Sequence, residues 1–290
     1  MQIGLIGTGL MGGAIARRLL AEGFELIVYN RTREKAEKLK MFNAKVADTP
    51  KQVAEECELI LTVLKDANAV KNVCFGKDGI ISANKKLVLA DVSTISPIHS
   101  REIANELKNY NIIMLDTPVM GGPPLAEKGE LVVMAAGNKE AFDRYEDVFR
   151  AISKKIFYLG SNGSAASMKL AMNLQIAMLA LALSEGITLV KGANLDPEKF
   201  LEILNSTYFK TGMSERKGPK MIKHNFEKTF ALSMMLKDLH TINFTAKEFN
   251  LALPMSSIAE ELYRMATNLG YGDLDYTGIL AFIEKVNSQD

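Results

Sequence analysis

Residues 3–12 read Ile-Gly-Leu-Ile-Gly-Thr-Gly-Leu-Met-Gly, which predicts a buried strand, a turn and the start of a helix. An apolar strand runs into a G-x-G-x-x-G turn at Gly7, Gly9 and Gly12, and an amphipathic helical pattern follows directly. The first glycine permits a tight turn, the second lets the backbone approach a pyrophosphate, and the third allows close packing of the helix on its strand. The amides and the positive dipole end of that helix then face the phosphates. The stretch predicts a dinucleotide-binding turn; the alternative is a glycine turn that only packs a helix on a sheet.

A second short stretch indicates which dinucleotide binds. The strand pattern at 26–29 leads into Asn30, Arg31 and Thr32, and Asn30 stands 18 residues after Gly12. NAD-binding domains usually place Asp or Glu there to accept a hydrogen bond from the ribose 2′-hydroxyl. A carboxylate would repel a 2′-phosphate, whereas a guanidinium binds it with two hydrogen bonds. We therefore expect NADP (NADPH), the alternative being that Arg31 is an ordinary surface arginine.

Composition excludes several classes of protein. The chain has 290 residues, enough for two domains, and a net charge of +1 with no basic stripe, so we expect no nucleic-acid partner. The two cysteines make no disulfide framework, and the three histidines lack metal-ligand spacing, so no metal is expected. The glycine turn begins too early for a signal peptide, and a cytoplasmic location is the expectation.

The first half of the chain alternates strand and helix patterns, which predicts a Rossmann-type, doubly wound parallel sheet. Predicted strands lie at 2–6, 26–29, 59–63, 87–90 and 112–115, with two more at 131–136 and 155–158. Predicted helices lie at 11–22, 34–42, 50–56, 67–73, 97–109 and 139–151.

After Gly160 the pattern becomes helical to the end of the chain. Residues 164–191 contain no proline and one glycine, which predicts one long helix between the domains. We therefore predict an NADP-binding domain at 1–163 and an all-α substrate and dimerisation domain at 164–290. The apolar run 170–190 resembles a membrane span, but it carries Asn173 and Glu185, which are expensive in hydrocarbon, so no membrane partner is expected.

Lys169 and Asn173 are the candidate catalytic pair at the start of the long helix. They are four residues apart, so a helix places them on one face. A partly desolvated lysine near a helix N-terminus gives up its proton readily. The neighbouring positions are mostly Ala, Leu and Met, which argues against the alternative of an ordinary surface lysine.

Two loops follow predicted strands and face the ligand side of an open α/β sheet. The loop 91–97 contains Ser93 and Thr94, which could instead cap the next helix, and the loop 116–122 ends in Gly121 and Gly122, whose amides could hold a carboxylate. Late in the chain, Lys237 and Asp238 are adjacent in a helical pattern, where such a pair is most often a solvated surface pair.

Taken together, these segments resemble the β-hydroxyacid dehydrogenase family over nearly the whole chain. The matching motifs are the turn 7–13, the D-x-S-T-x-x-P loop 91–97, the D-A-P-V-S-G-G-like loop 116–122, the G-x-x-G-x-x-x-x-x-K-x-x-x-N stretch 160–173, the K-D-L segment 237–239 and the closing G-x-G-x-x-D motif within 270–277. Met120 stands where the family usually has serine, which leaves the substrate open.

The resemblance implies roles for individual residues. Lys169 would be the catalytic acid/base. Substrate would be bound by Thr94, Met120, Gly121, Gly122, Asn173, Phe230 and Asp238. The cofactor would be bound by Gly7, Thr8, Gly9, Leu10, Met11, Gly12, Asn30, Arg31, Thr32, Val63, Leu64, Thr94 and Lys237.

The implied activity is hydride transfer between NADPH and a small aldehyde or keto acid, as in glyoxylate or succinic semialdehyde reductases. Oxidation of 3-hydroxyisobutyrate or another β-hydroxyacid is the alternative, and a non-catalytic dinucleotide-binding regulator is the alternative of another class. Lys169 argues against the imine reductases, which usually lack it. The apolar circumference of the long helix predicts a homodimer or homotetramer.

Overall fold

The computed structural model describes residues 1–288. Contacts divide the chain into two compact units, Met1–Lys169 and Leu170–Asp290. We refer to them as the α/β unit and the helical unit.

In the described residues the α/β unit contains one sheet of nine strands. The strands are β1 (Gln2–Ile6), β2 (Glu25–Tyr29), β3 (Lys45–Val46), β4 (Leu59–Thr62), β5 (Leu87–Asp91), β6 (Ile112–Asp116), β7 (Val119–Met120), β8 (Leu131–Gly137) and β9 (Ser153–Tyr158). Their order is β3-β2-β1-β4-β5-β6-β8-β7, and β9 pairs with β8. The first six strands are parallel, and the order reverses between β1 and β4. The predicted doubly wound sheet is thereby confirmed, with its ligand crevice expected at that reversal.

Helices cover both faces of the sheet. They are α1 (Leu10–Ala21), α2 (Arg33–Glu37), α3 (Pro50–Glu56), α4 (Ala67–Phe75), α5 (Pro97–Lys108), α6 (Pro123–Glu127), α7 (Lys139–Arg144) and α8 (Glu146–Ile152). On β4 the side chains alternate between two cores: Leu59 and Leu61 lie in one with α1 and α8, and Ile60 lies in the other with α3, α4 and α5. A strand that is buried on both faces has apolar residues at consecutive positions, and these runs are what predicted the strands from the sequence.

Four details differ from the sequence prediction. The helix predicted at 139–151 is two helices, since the backbone leaves the helical region at Tyr145. The helix predicted at 34–42 is α2 followed by a 3₁₀ turn at Lys40–Phe42. The strands β3 and β7 have two residues each and show no period, so the pattern missed them. The strand β8 runs antiparallel to β6 and β7.

The remaining helices are α9 (Ser164–Gly192), α10 (Pro197–Asn205), α11 (Gly212–Arg216), α12 (Gly218–Ile222), α13 (Leu232–Glu248), α14 (Pro254–Asn268) and α15 (Ile279–Asn287). The core of the helical unit includes the fully buried Leu239, Tyr263 and Phe282. Within residues 1–288, α9 alone is long and apolar enough to cross a membrane, and 44% of its most apolar window is buried. The core helix of a helical domain meets the same criterion, so this is weak evidence for a membrane span.

Candidate functional site

The glycine turn after β1 has the geometry that its sequence predicts. Gly7 has φ of +101°, and a Cβ there would lie 2.3 Å from the carbonyl oxygen of Val63. A Cβ on Gly12 would lie 1.9 Å from the carbonyl oxygen of Gly7. A side chain at either position would strike backbone, so this close approach of β1, α1 and the end of β4 requires glycine.

The tip of this turn fits a pyrophosphate. The Cβ position of Gly9 has no atom within 4 Å, and both Gly9 and Leu10 are exposed. The buried Oγ1 of Thr8 has no hydrogen-bond partner among the described residues. Open backbone at the N-terminus of a 12-residue helix, beside an unsatisfied hydroxyl, suits an anionic group. Met11, on the first turn of α1, is half-buried.

Asn30 connects this turn to the loop after β2. Its Oδ1 accepts a hydrogen bond from the Thr8 amide at 3.0 Å, and its Nδ2 donates to the Thr32 carbonyl at 2.9 Å. The guanidinium of Arg33 binds Glu37 and Asp48. Arg31 is exposed and makes no hydrogen bond or ion pair with the described residues, so its guanidinium is available to an anion beside the turn.

Asp91 organises the loop after β5. Its Oδ1 accepts hydrogen bonds from Thr62 Oγ1 at 2.7 Å and from the Ser93 amide at 3.2 Å. Ser93 Oγ in turn accepts from the Leu64 amide at 2.9 Å. Burial raises the pKa of Asp91 to about 6, against the lowering effect of these hydrogen bonds. The loop is thus held to the end of β4, where Val63 and Leu64 are half-buried; Thr94 beside Ser93 is half-buried as well.

The sequence alternative for Ser93 and Thr94, capping of the next helix, is wrong. Ser96 caps α5, since its Oγ accepts a hydrogen bond from the His99 amide at 3.1 Å. The reason is position: Ser96 stands directly before Pro97, the first residue of the helix. Ser93 is occupied by the Leu64 amide instead.

Asp116 holds the chain that leads into α9. Its Oδ1 accepts hydrogen bonds from Ser100 Oγ at 2.6 Å and Asn162 Nδ2 at 3.0 Å, and its Oδ2 accepts from the Gly163 amide at 2.5 Å. Burial raises the pKa of Asp116. In the motif 116–122 the sequence predicts a role for Gly121 and Gly122 only. The hydrogen bonds that Asp116 makes to the start of α9 were not predicted.

The α/β unit brings Lys169 to the loop after β6. Lys169 is half-buried, and its Nζ lies 3.3 Å from the Sδ of Met120. Gly121 has φ of +120°, and a Cβ there would lie 2.8 Å from Leu131 Cδ2. Gly122, half-buried, is the N-cap residue of α6. Three of the predicted substrate residues are therefore consecutive: Met120, at the end of β7, contacts the predicted catalytic lysine, and Gly121 and Gly122 follow it.

The helical unit holds a second polar cluster. Asn173 is buried, and its Nδ2 donates to Asp238 Oδ2 at 2.6 Å. Asp238 Oδ1 lies 2.5 Å from Lys237 Nζ, and the side chains of Lys237 and Asp238 are 16% and 2% exposed. The expectation of a solvated surface pair is wrong here, because the core residues Met235 and Leu239 bury this face of α13.

Phe230, the remaining predicted substrate residue, is fixed by Asp275. Phe230 is half-buried, and its amide donates to Asp275 Oδ2 at 3.3 Å. The same carboxylate binds Lys217 Nζ at 2.9 Å and Thr229 Oγ1 at 2.7 Å. Burial alone would raise the pKa of Asp275, but the hydrogen bonds from Thr229 and Lys217 and the lysine charge lower it. Sequence reasoning missed this ion pair, although Asp275 closes the G-x-G-x-x-D motif.

Within residues 1–288 no three His, Cys, Asp or Glu side chains form a group that could hold a metal ion.

Comparison with known proteins finds a matching family model for each half of the chain. Residues 2–160 match the family model described as the NAD-binding domain of 6-phosphogluconate dehydrogenase, and residues 163–283 match that of NADP-dependent 3-hydroxyisobutyrate dehydrogenase. Two reductases of Arabidopsis thaliana, glyoxylate/succinic semialdehyde reductase 2 (chloroplastic) and 1, are each 31% identical; the matches cover 100% and 98% of this chain and 81% and 99% of theirs. A crystal structure of 3-hydroxyisobutyrate dehydrogenase from Salmonella typhimurium superposes with a TM-score of 0.89 at 26% identity, over 97% of this chain and 99% of that one.

Proposed function

We propose that this chain, which belongs to the β-hydroxyacid dehydrogenase family, reduces a short aldehyde or keto acid with NADPH. The family resemblance stated from the sequence is confirmed, and the chain is an oxidoreductase that uses a nicotinamide cofactor at CH–OH or carbonyl groups. The substrate and the choice of NADPH are the parts that we propose.

The residues around the glycine turn fit the cofactor. Gly9 and the amides at the start of α1 would hold the pyrophosphate, with the Thr8 hydroxyl beside it. Arg31 supports NADPH, because its guanidinium has no partner in the described chain and suits a 2′-phosphate. When bound, the nicotinamide supplies the hydride.

Lys169 is the proposed proton donor to the carbonyl oxygen of the substrate. The contact between Lys169 Nζ and Met120 Sδ is the observation that carries this proposal, since it brings the ammonium to the predicted substrate loop. A thioether is a weak acceptor, so the contact with Met120 does not itself hold the proton on the lysine nitrogen. Proton donation neutralises the charge that develops on the oxygen as the carbonyl is reduced.

Substrate assays with both cofactors test the proposed function. Glyoxylate, succinic semialdehyde and short alkyl aldehydes are offered with NADPH and with NADH, and oxidation of the cofactor is followed by absorbance. The proposal predicts turnover of at least one carbonyl compound, with NADPH preferred. Cofactor binding without turnover of any compound would favour a dinucleotide-binding regulator and contradict the proposal.

Oxidation of a β-hydroxyacid is the second candidate. The similarity to a structure named 3-hydroxyisobutyrate dehydrogenase favours it. The same assay run in reverse, with 3-hydroxyisobutyrate or serine and NADP⁺, distinguishes the two: a higher kcat/KM for the hydroxyacid than for every aldehyde would replace the first candidate by the second.

We also propose that the protein is at least a dimer. Leu179 and Leu189 on α9 are 38% and 73% exposed, and Met172 on the same helix is also exposed. Apolar side chains spaced along one long helix are a surface that a second subunit would cover. Light scattering that gives the monomer mass of 31.9 kDa at micromolar protein would contradict this proposal.

A further inference from the structure

Asp116 connects two segments of the α/β unit, which we call its two arms. The first is the turn 162–163 that leads into α9 and Lys169, and the second is the chain 117–120 that ends at Met120 beside Lys169. We propose that Asp116 is a positioning residue, which sets the location of the Lys169 ammonium by joining the start of α9 to the strand that leads into the Met120 loop. The inference rests on the proposed role of Lys169 as proton donor.

The first arm is the turn before α9. The amide of Gly163 is buried and donates to Asp116 Oδ2 at 2.5 Å, and Asn162 Nδ2 donates to Asp116 Oδ1 at 3.0 Å. The carbonyl of Gly163 accepts hydrogen bonds from the Ser167 amide and from Ser167 Oγ, both at 2.9 Å. Gly163 therefore connects the carboxylate of Asp116 to Ser167 on the first turn of α9, and Ser167 stands two residues before Lys169.

This turn tolerates little adjustment. Gly163 has φ of +92°, and a Cβ there would lie 2.4 Å from Arg101 Nη1 and 3.1 Å from the Pro97 carbonyl oxygen. A buried amide that loses its acceptor is unfavourable, so the start of α9 would move rather than leave the Gly163 amide unpaired.

The second arm is the chain that follows Asp116. The carbonyl of Pro118 accepts a hydrogen bond from the Met134 amide at 3.0 Å, and Met120 pairs with Val132 on β8. This arm ends at Met120 Sδ, 3.3 Å from Lys169 Nζ. The carboxylate of Asp116 is thus a polar connection between the segment that carries the lysine and the segment that the lysine contacts. Asn162 Nδ2 adds a second one, since it also donates to the Met114 carbonyl on β6 at 3.0 Å.

A carboxylate suits this position because it is an acceptor only. Asp116 receives three donors on its two oxygens. An asparagine has the same size but keeps one acceptor oxygen and adds an NH₂ donor, which would face at least one of those donors. The replacement changes hydrogen bonding with little change in volume.

The experiment uses the intact enzyme and three variants. Asp116→Asn changes the hydrogen bonds of the carboxylate with Ser100, Asn162 and Gly163. Asn162→Ala removes the hydrogen bonds of Asn162 to Asp116 and to the Met114 carbonyl, which join the segment before α9 to β6. Ser100→Ala is the matched control, because Ser100 Oγ donates to the same Oδ1 from α5, whereas Asn162 belongs to the segment that leads into α9. The readouts are kcat, the dissociation constant of NADPH and the solvent isotope effect on kcat.

The inference predicts a fall in kcat of about tenfold or more for Asp116→Asn and Asn162→Ala, since misplacement of a catalytic group by about 1 Å costs up to about a hundredfold. The solvent isotope effect rises in both, because proton transfer from a misplaced lysine becomes slower. The affinity for NADPH stays within about twofold, since the glycine turn lies on other strands, and Ser100→Ala keeps a kcat within about twofold of the parent.

A wild-type kcat in Asp116→Asn, or equal losses in Asn162→Ala and Ser100→Ala, would overturn the inference. If Asp116→Asn does not fold, the comparison of Asn162→Ala with Ser100→Ala decides alone. A Lys169→Ala variant run in parallel separates the two claims: if it is fully active the proposed function fails, and if it is inactive while Asp116→Asn is normal only the positioning role fails.

Discussion

Asp91 in the α/β unit and Asp275 in the helical unit are almost equally buried, at 2% and 0% exposure, yet their pKa values move in opposite directions. Asp91 accepts hydrogen bonds from a hydroxyl and an amide, and burial raises its pKa to about 6. Asp275 also binds the ammonium of Lys217, and its pKa is lowered. At Asp275 the hydrogen bonds from Thr229, together with the hydrogen bond and the charge of Lys217, outweigh the effect of burial, whereas at Asp91 hydrogen bonds alone do not.

The two units also differ in where three of their cationic side chains lie and in what those side chains bind. In the helical unit, Lys217 and Lys237 lie against Asp275 and Asp238 inside the fold. In the α/β unit, Arg31 lies at the surface beside the glycine turn and is bound to none of the described residues. The comparison separates lysines that neutralise buried carboxylates in the helical unit from an exposed arginine that the proposed function assigns to the cofactor.

The largest effect is expected from removing the buried lysine of the helical unit. Lys217→Met leaves the carboxylate of Asp275 buried without its cation, which typically costs about 3–5 kcal/mol. Urea unfolding followed by circular dichroism should show this loss of free energy of unfolding.

The matched control for that variant is Lys199→Met. Lys199 pairs with Glu202 in the same unit, but both side chains are more than 60% exposed, at 63% and 66%. Exposed pairs contribute little to stability because solvent screens them, so this variant should unfold nearly as the parent does. Equal losses in the two variants would remove the distinction between a buried and a solvated pair.

A smaller effect, on binding and not on stability, is expected for Arg31→Ala. A hydrogen bond to a charged group contributes about 1.5–3 kcal/mol, so the KM for NADPH should rise roughly tenfold to a hundredfold while the KM for NADH changes little. Steady-state kinetics with both cofactors measure this difference. Arg33→Ala is the control, because that guanidinium already binds Glu37 and Asp48. Equal use of NADPH and NADH by the unmodified protein would contradict the proposed cofactor.

The smallest effect is the pH dependence of stability that Asp91 contributes. Its pKa of about 6 in the folded protein lies above the unfolded value of about 4. Its stabilising contribution is therefore present below about pH 4 and is lost as the pH rises through 6. Asp91→Asn, whose amide oxygen can accept the same hydrogen bonds, should become more stable relative to the parent between pH 4 and pH 6.

Melting temperatures of the parent and of Asp91→Asn across that pH range test the sign. Asp275 has a lowered pKa, so its contribution changes in the opposite direction and is lost as the pH falls. A stability difference that is constant with pH, or that falls as the pH rises, would contradict the raised pKa of Asp91.

The features predicted from the sequence are those with local causes. The glycine turn depends on residues 7–12, and the buried strands on short apolar runs. The pairing of Lys217 with Asp275 joins residues 58 apart, and no period or motif specifies it. The burial of Lys237 and Asp238 depends on how α13 packs in the folded chain. Their adjacency in the sequence does not contain this information, so the sequence predicted a solvated surface pair.

The proposed role of Lys169 as proton donor in the chemical step is tested by the Lys169→Ala variant. We predict that its kcat falls by about a hundredfold or more while its dissociation constant for NADPH is nearly unchanged. Lys169→Arg should not restore activity, because a guanidinium does not release a proton near neutral pH. A Lys169→Ala enzyme with the full kcat of the parent would rule out this role.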